Sequence, residues 1–402
     1  MDAPSGSAEL HLPKGFSFSA TTAGIKASGR PDLALVTASE GTTAAAVFTR
    51  NRVVAAPLIV SKAALAKSRG RVRAVLVNSG NANCATGKDG IRDCVQICDA
   101  AAELLRTPRE SIFASSTGII GVPLPAERIV KVLPSLIAAQ PAGTPRQFAE
   151  AIMTTDTRAK LASARVNAGR NGFAVLGIAK GSGMIHPQLA TMLVYLFTDV
   201  AASPRELQSM LRRACDQTFN CMSVDGDTST NDTVLLLASG QSGIRLNRKN
   251  GPGGFERALL QVCESLARQI VRDGEGVQHV INLHVEGAKD HAEALQAAKA
   301  IAHSLLVKTA WAGADPNWGR ILAAAGACGV PVRPERMEIS IGGQMVFRKG
   351  TACRFDEQEG HRALSQPECD ITVNLARGRA RLTFLTTDLT AEYVRINADY
   401  ST

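Results

Sequence analysis

Aromatic side chains are scarce in this chain, 4% of 402 residues, whereas glycine is plentiful at 35. That balance argues against a fibrous, disordered or repeat protein and fits a globular α/β protein with many tight turns. No internal repeat or low-complexity tract occurs. No stretch reaches the ~20 apolar residues of a membrane helix. The opening MDAPSGSAELHLPKGF lacks a cationic head followed by an apolar run, so a soluble, cytoplasmic protein without membrane partners is expected. Nine cysteines, an odd number scattered along the chain, do not resemble a secreted disulfide framework. Cys94 and Cys98 stand four apart on an expected helix, but no second pair or nearby histidine completes a zinc set. Asp225 and Asp227 lack the spacing, later glycine and closing glutamate of a calcium loop. No metal site is expected. The formal charge of +9 is dispersed, and its densest cluster, Lys67, Arg69, Arg71 and Arg73, has no interleaved aromatics, which argues against nucleic acid as a partner. The seven histidines are far apart and no Ser/His/Asp pattern is evident.

What is present is a 45% apolar share, ample for a packed core in one large domain or in two to three ordinary ones. Hairpins are expected over 16–48, 337–348 and 370–386, the last two turning at Gly342-Gly343 and near Gly378. Apolar runs predict strands at 73–78, 111–115, 172–179, 191–198, 234–238 and 277–285. Helical spacing predicts helices over 91–106, 126–139 (disturbed at Pro134), 145–153, 255–273 and 290–308, with another beginning near Trp318. Ser203 followed by Pro204 starts a helix reaching about Phe219. The Gly-, Pro- and charge-rich stretch 239–254 reads as a linker, giving a main domain over 1–240 and a smaller α+β region over 241–402.

The stretch KGSGMIHPQLATMLVYLFTD, Lys180 to Asp199, organises the rest. Glycines and His186-Pro187 forbid regular structure just before a strand that begins at Thr191. A threonine hydroxyl is a poor nucleophile until a base takes its proton. A free α-amine on the same residue, with an ordinary pKa of about 7.7 to 8.0, can do so near neutrality, provided the Ala190–Thr191 bond is first cut. The plain alternative is that Thr191 only begins a buried strand. Other short motifs carry similar ambiguity. NSGNAN (78–83) is a loop of amides that binds a ligand or only its own backbone. Thr117-Gly118 at a strand end suits either a turn or the donors facing an oxyanion. Lys180 at a strand end is either solvated or placed to hold a carboxylate, and the polar run 225–232 is expected to brace the new N-terminus.

Together the separated motifs NSGNAN, STGIIG (116–121), TTDT (154–157), DGDTSTNDT (225–233), DPNWGR (315–320) and the closing INADYST resemble the ornithine acetyltransferase family, the glutamate N-acetyltransferases of arginine biosynthesis. The likeness spans nearly the whole chain. It implies stacked helix, sheet, sheet and helix layers with a smaller domain. It also implies self-cleavage between Ala190 and Thr191, and an assembly of two α and two β chains. Acetyl would move from N-acetylornithine to Thr191, ornithine would leave, and glutamate would collect the acetyl group in a ping-pong cycle needing no organic or metal cofactor. Thr117 and Gly118 match the oxyanion-hole pair. Thr154, Lys180, Glu275, Asn397 and Thr402 match substrate contacts, the last two on a tail that folds into the site. The sequence leaves open whether acetyl-CoA also serves as donor. Departures are small: Cys84-Ala85 where Ala-Cys is common, and Gln188-Leu189 where Asn-Met is common. An N-terminal-nucleophile amidohydrolase or aminopeptidase of related fold is the alternative enzyme. An uncleaved binding protein is the alternative without turnover.

Overall fold

A computed structural model describes residues 9–168, 171–186, 192–246 and 253–399. Ala190, Thr191 and Thr402 lie outside the described residues, as does part of the expected linker. Two sheets are built from interleaved segments of the first two-thirds of the chain. One takes β1 (Phe16–Thr21), β2 (Leu33–Ala38), β4 (Ala74–Asn81) and β5 (Ile112–Ile119); the other takes β3 (Thr43–Phe48), β6 (Lys160–Ala168), β7 (Asn171–Lys180), β8 (Leu193–Thr198) and β9 (Thr233–Ala238). The first runs β1-β2-β4-β5 and the second β3-β9-β8-β7-β6. Strands β8 (LVYLFT) and β9 (TVLLLA) are buried along their whole length, as near-continuous apolar runs require when both faces of a strand are covered.

The sheets pack face to face. Phe18, Val36, Val77 and Phe113 of the first meet Ile178, Tyr195, Phe197 and Leu235 of the second, with Phe18 edge-on to Phe197 at 5.4 Å between ring centroids. The outer face of the first sheet is covered by helices α2 (Gly87–Leu104) and α3 (Ala126–Ala138), which follow α1 (Ala56–Lys67). Their Cys94, Cys98, Ile129 and Leu133 pack on Leu33, Leu35 and Leu76. Both cysteines are buried in the core rather than gathered into a ligand set. After α4 (Pro145–Ala151), helices α5 (Pro204–Gln217) and α6 (Gly253–Arg272) cover the second sheet, Leu207, Leu211, Leu259 and Leu266 lying on Val175, Val194 and Leu236. The layers are therefore helix, sheet, sheet, helix, as the family resemblance implies. Helix α6 belongs to this core although it follows residue 241. Ser203 and Glu206 form a capping box at the start of α5.

The remaining elements are β10 (Val280–Ala288), α7 (His291–Ala302), α8 (Leu305–Ala312), α9 (Trp318–Gly326), β11 (Glu338–Ile341), β12 (Gln344–Arg348), β13 (Thr351–Ala352), α10 (Glu357–Leu364), β14 (Glu368–Asn374), β15 (Ala380–Thr387) and α11 (Ala391–Asp399). Their sheet, β13-β12-β11-β14-β10-β15, has its own core of Ile281, Leu283, Ile301, Trp311, Ile371 and Phe384. Several expectations are corrected. β1 and β2 form a hairpin, but β3 leaves to pair with β9. The expected hairpin over 370–386 does not form: β10 lies between β14 and β15, parallel to one and antiparallel to the other. The connection wraps around the end of β10, where Leu375 N–H donates to the Glu286 carbonyl. The helix expected over 290–308 is two, the second capped by Ser304. Pro134 sits inside α3 without ending it. The amides expected in a loop partly continue β4 through Asn81. Among the described residues no helix is long and apolar enough to cross a membrane.

Candidate active site

The ends of parallel strands β4 and β5 form one wall. Ser79 pairs with Thr117 and Gly80 with Gly118. Gly118 has φ +135°, and a Cβ there would press on the Gly80 carbonyl carbon and the Asn81 nitrogen, so glycine is required. The neighbouring amides are hydrogen-bonded within the chain. Asn78 donates to the Asn81 carbonyl at 2.9 Å and accepts from Ser116 Oγ at 2.5 Å. Asn231 Nδ2 crosses from the facing loop to the carbonyls of Ala82 and Ser116 at 2.7 and 2.8 Å.

Lys180, the last residue of β7, is not a solvated strand end. It is 2% exposed, and its Nζ donates to Thr117 Oγ1 at 3.1 Å and to Thr154 Oγ1 at 2.9 Å. Burial pushes its pKa down, against the opposing pull of Asp156. Asp156, the acid of the TTDT motif, accepts from Gly181 N–H at 2.6 Å, Thr154 N–H at 3.0 Å and Lys160 Nζ at 2.7 Å. Burial alone would raise its carboxyl. The Lys180 and Lys160 charges and these hydrogen bonds outweigh it and hold the pKa down at about 2. Lys160, fully buried, also reaches Asp273 Oδ2 at 2.5 Å. Thus a chain of buried charges fixes the Gly181 and Thr154 backbone beside Lys180.

The segment after Lys180 turns against Glu275, in the connection between α6 and β10, and against Asp225. A Cβ on Gly183 would collide with the Glu275 carboxylate. Glu275 N–H donates to the Ser182 carbonyl at 3.0 Å, and its Oε2 accepts from Asn397 Nδ2 of α11 at 2.9 Å. Asp225 accepts from Met184 and Ile185 N–H and from Tyr393 OH; burial raises its pKa to about 6, the N–H donors opposing the shift. At the head of β8, Met192 N–H donates to Asp232 Oδ1 at 3.0 Å and the Met192 carbonyl accepts from Thr233 N–H at 3.1 Å. Burial pushes the Asp232 carboxyl well up, and its Oδ2 has no partner among the described residues.

These elements enclose a cavity of about 360 Å³. Six of the residues singled out from sequence line it together: Thr117, Gly118, Thr154, Lys180, Glu275 and Asn397. A cation at one wall and carboxylates at another suit a ligand carrying both a carboxylate and an amine. The sequence reading assigned no role to Asp156, Lys160, Asp273 or Tyr393. Asp156 lay inside a quoted motif, whereas Lys160 and Asp273 look locally like an ordinary strand start and helix end. Among the described residues no group of three or more His, Cys, Asp or Glu could hold a metal ion.

The model of the ArgJ family matches residues 17–402. The arginine biosynthesis bifunctional protein ArgJ of Geobacter sulfurreducens is 45% identical over 392 residues, 97% of this chain and 99% of its own. The glutamate N-acetyltransferase of Methanopyrus kandleri is 43% identical over 398 residues, 98% of this chain and all of its own (100%). Among solved structures, that of ornithine acetyltransferase complexed with ornithine from Mycobacterium tuberculosis is 35% identical, covering 44% of this chain and 94% of that one with a TM-score of 0.39.

Proposed function

Because this chain belongs to the ArgJ family, we propose that the cavity between Lys180 and Glu275 is its acetyl-transfer site, with Thr191 as nucleophile. The protein is a glutamate N-acetyltransferase of arginine biosynthesis. In the precursor, Thr191 Oγ attacks the Ala190 carbonyl carbon; the peptide C–N bond breaks and its nitrogen takes the proton. Water then hydrolyses the ester, leaving a carboxylate on Ala190 and a free amine on Thr191. Asp232, buried beside Met192 with one oxygen unpartnered, is the acceptor available to that amine.

In turnover the amine takes the hydroxyl proton as Oγ attacks the acetyl carbon of N-acetylornithine. The oxyanion is held by Thr117, itself hydrogen-bonded to Lys180, and by Gly118. The intermediate collapses, ornithine leaves with the proton, and the glutamate amine attacks the acetyl-threonine ester in the same site. Lys180 and Thr154 hold the substrate carboxylate, Glu275 meets the amino group, and Asn397 and Thr402 close the site from the tail. No organic or metal cofactor takes part, acetyl-CoA is a second acetyl donor, and the cytoplasmic assembly contains two α and two β chains. The amidohydrolase reading is not favoured, since the curated relatives at 43–45% identity over nearly the whole chain are named as acetyltransferases or ArgJ proteins.

The observation that carries this reading is the convergence of six residues singled out from sequence, from five separate segments, on one cavity. Initial rates at varied N-acetylornithine and fixed glutamate levels test it. Parallel double-reciprocal lines are expected; intersecting lines overturn the single acetyl-enzyme cycle.

A further inference from the structure

The loop Ser223 to Thr233 touches the chain on both sides of the Pro187–Thr191 segment. On the upstream side, Asp225 Oδ2 accepts from Met184 N–H at 2.5 Å and Oδ1 from Ile185 N–H at 2.8 Å. The Ile185 carbonyl accepts in turn from Val224 N–H at 3.0 Å, Gly226 N–H at 3.4 Å and Ser223 Oγ at 2.9 Å. Ser223 spends its one proton there, so the contact at 2.9 Å with His303 Nε2 requires that nitrogen to be the donor. His186 lies against His303 with ring centroids 4.8 Å apart and planes tilted by 31°. Met184 is held at φ +56°, the left-handed region that non-glycine residues adopt only when their surroundings impose it. On the downstream side, Asp232 and Thr233 take both backbone polar groups of Met192.

The loop itself is anchored independently of that segment. Ser223 N–H donates to Leu385 of β15, and Thr49 Oγ1 and Asn51 Nδ2 donate to the Ser229 and Thr228 carbonyls. Ile185, Ser223 and Asp232 are fully buried and Met192 nearly so. A rigid loop is therefore hydrogen-bonded to residues 184–185 and 192, while the peptide bond assigned for cutting lies between them. Such two-sided fixation is what an intramolecular attack needs, because orienting the reacting groups beforehand removes the entropic part of the barrier.

We propose that this loop is the positioning device for self-cleavage, and that Asp225 is its positioning residue on the upstream side. The inference rests on the self-cleaving reading above. Asp225 touches neither the scissile bond nor the nucleophile among the described contacts; it acts by fixing Met184 and Ile185. It also receives Tyr393 OH at 3.3 Å, so the same carboxylate joins the cleavage flank to the terminal helix. After the cut, the upstream flank belongs to one chain and the loop to the other, and these bonds keep the two products docked.

A pH signature separates positioning from general stability. Asp225 titrates at about 6 because burial raises it, with Asp227 adding to the rise. Lys308 and Tyr393 also face it but are pushed to about 8 and further up, respectively. The adjoining His186 and His303 are held near 4 and 3 by burial. Between pH 5 and 7 Asp225 is thus the member of this cluster that changes charge, and below about 6 it weakens as an acceptor.

The test is a time course of full-length chain made by cell-free translation, transferred at early times to buffers from pH 5 to 8 and followed by denaturing intact mass. Wild-type cleavage is expected to slow about tenfold per pH unit below 6. Asp225→Asn is expected to slow cleavage at pH 7.5 by at least about tenfold and to flatten the profile. A variant cut within about twofold of wild type, or one that retains the wild-type pH dependence, overturns the inference while leaving the function intact. A wild type that is never cut overturns both. If Asp225→Asn fails to fold, Ser223→Ala decides. It keeps the carboxylate and removes one donor to Ile185, and several-fold slower cleavage supports the proposal whereas an unchanged rate refutes it.

Discussion

Replacing Lys160 with methionine tests the buried charge chain on which the site stands. Lys160 is fully buried between Asp156 at 2.7 Å and Asp273 at 2.5 Å. Methionine keeps most of the volume and removes the charge. Asp273 would retain the Thr157 donors and Arg158 at 3.4 Å, whose side chain is largely in water, and Asp156 would retain Lys180. Breaking a buried ion pair from one side costs about 3–5 kcal/mol, because a charge is left behind without its partner. The partial compensation points to the lower half of that range. The sign with pH follows from Asp156, whose pKa falls from 3.8 to about 2 on folding. That depression contributes about 2 kcal/mol, present above pH 3.8 and lost as the pH falls through 2. In Lys160→Met the Asp156 carboxyl protonates more readily, so the deficit against wild type is greatest near pH 7 and narrows in acid. Urea unfolding followed by circular dichroism at pH 7 and pH 3 measures both terms. Acetyl transfer should fall as well, since Asp156 holds the Gly181 and Thr154 N–H groups beside Lys180. Adding Asp273→Asn should recover part of the stability. A loss under about 1 kcal/mol at pH 7 with full activity would refute the reasoning.

Thr117→Ala should lower kcat by about 10²- to 10³-fold with a smaller change in KM, as for loss of one oxyanion donor; steady-state kinetics of acetyl transfer check it. Glu275→Gln, which keeps the shape but not the charge that meets the substrate amine, should raise the KM for N-acetylornithine by about tenfold or more. Eight of the nine cysteines are buried and Cys353 is half-buried, so a thiol reagent should label about one thiol per native chain and all nine after denaturation.

The parts of the fold set by local pattern were legible. Continuous apolar runs marked β8 and β9, and Ser203-Pro204 marked the start of α5, because burial and capping act within a few residues. Strand partners were not, since alternation says that a segment is a strand but not where its neighbour comes from. β3 and β2 are adjacent in sequence yet lie in different sheets, and β10 intervenes between β14 and β15. The cavity divides the same way. Thr117, Gly118, Thr154 and Lys180 sit in recognisable motifs, and Thr117 and Thr154 meet through Lys180 Nζ. The Lys160–Asp273 bond joins residues 113 apart, and nothing around either residue announces the other. Asp225 stood in a quoted motif, but its partners, Met184 and Ile185 on one segment and Tyr393 on another, come from two regions of chain that only folding brings to it.

The central claim is that one threonine both cuts the chain and carries the acetyl group. Denaturing intact mass of wild type and Thr191→Ala, each then assayed for acetyl transfer from N-acetylornithine to glutamate, tests it most directly. Two fragments beginning at Met1 and Thr191 with transfer in the wild type, and one intact, inactive chain in the variant, are the predicted result. An intact wild type that transfers acetyl, or a Thr191→Ala chain that does, would contradict it.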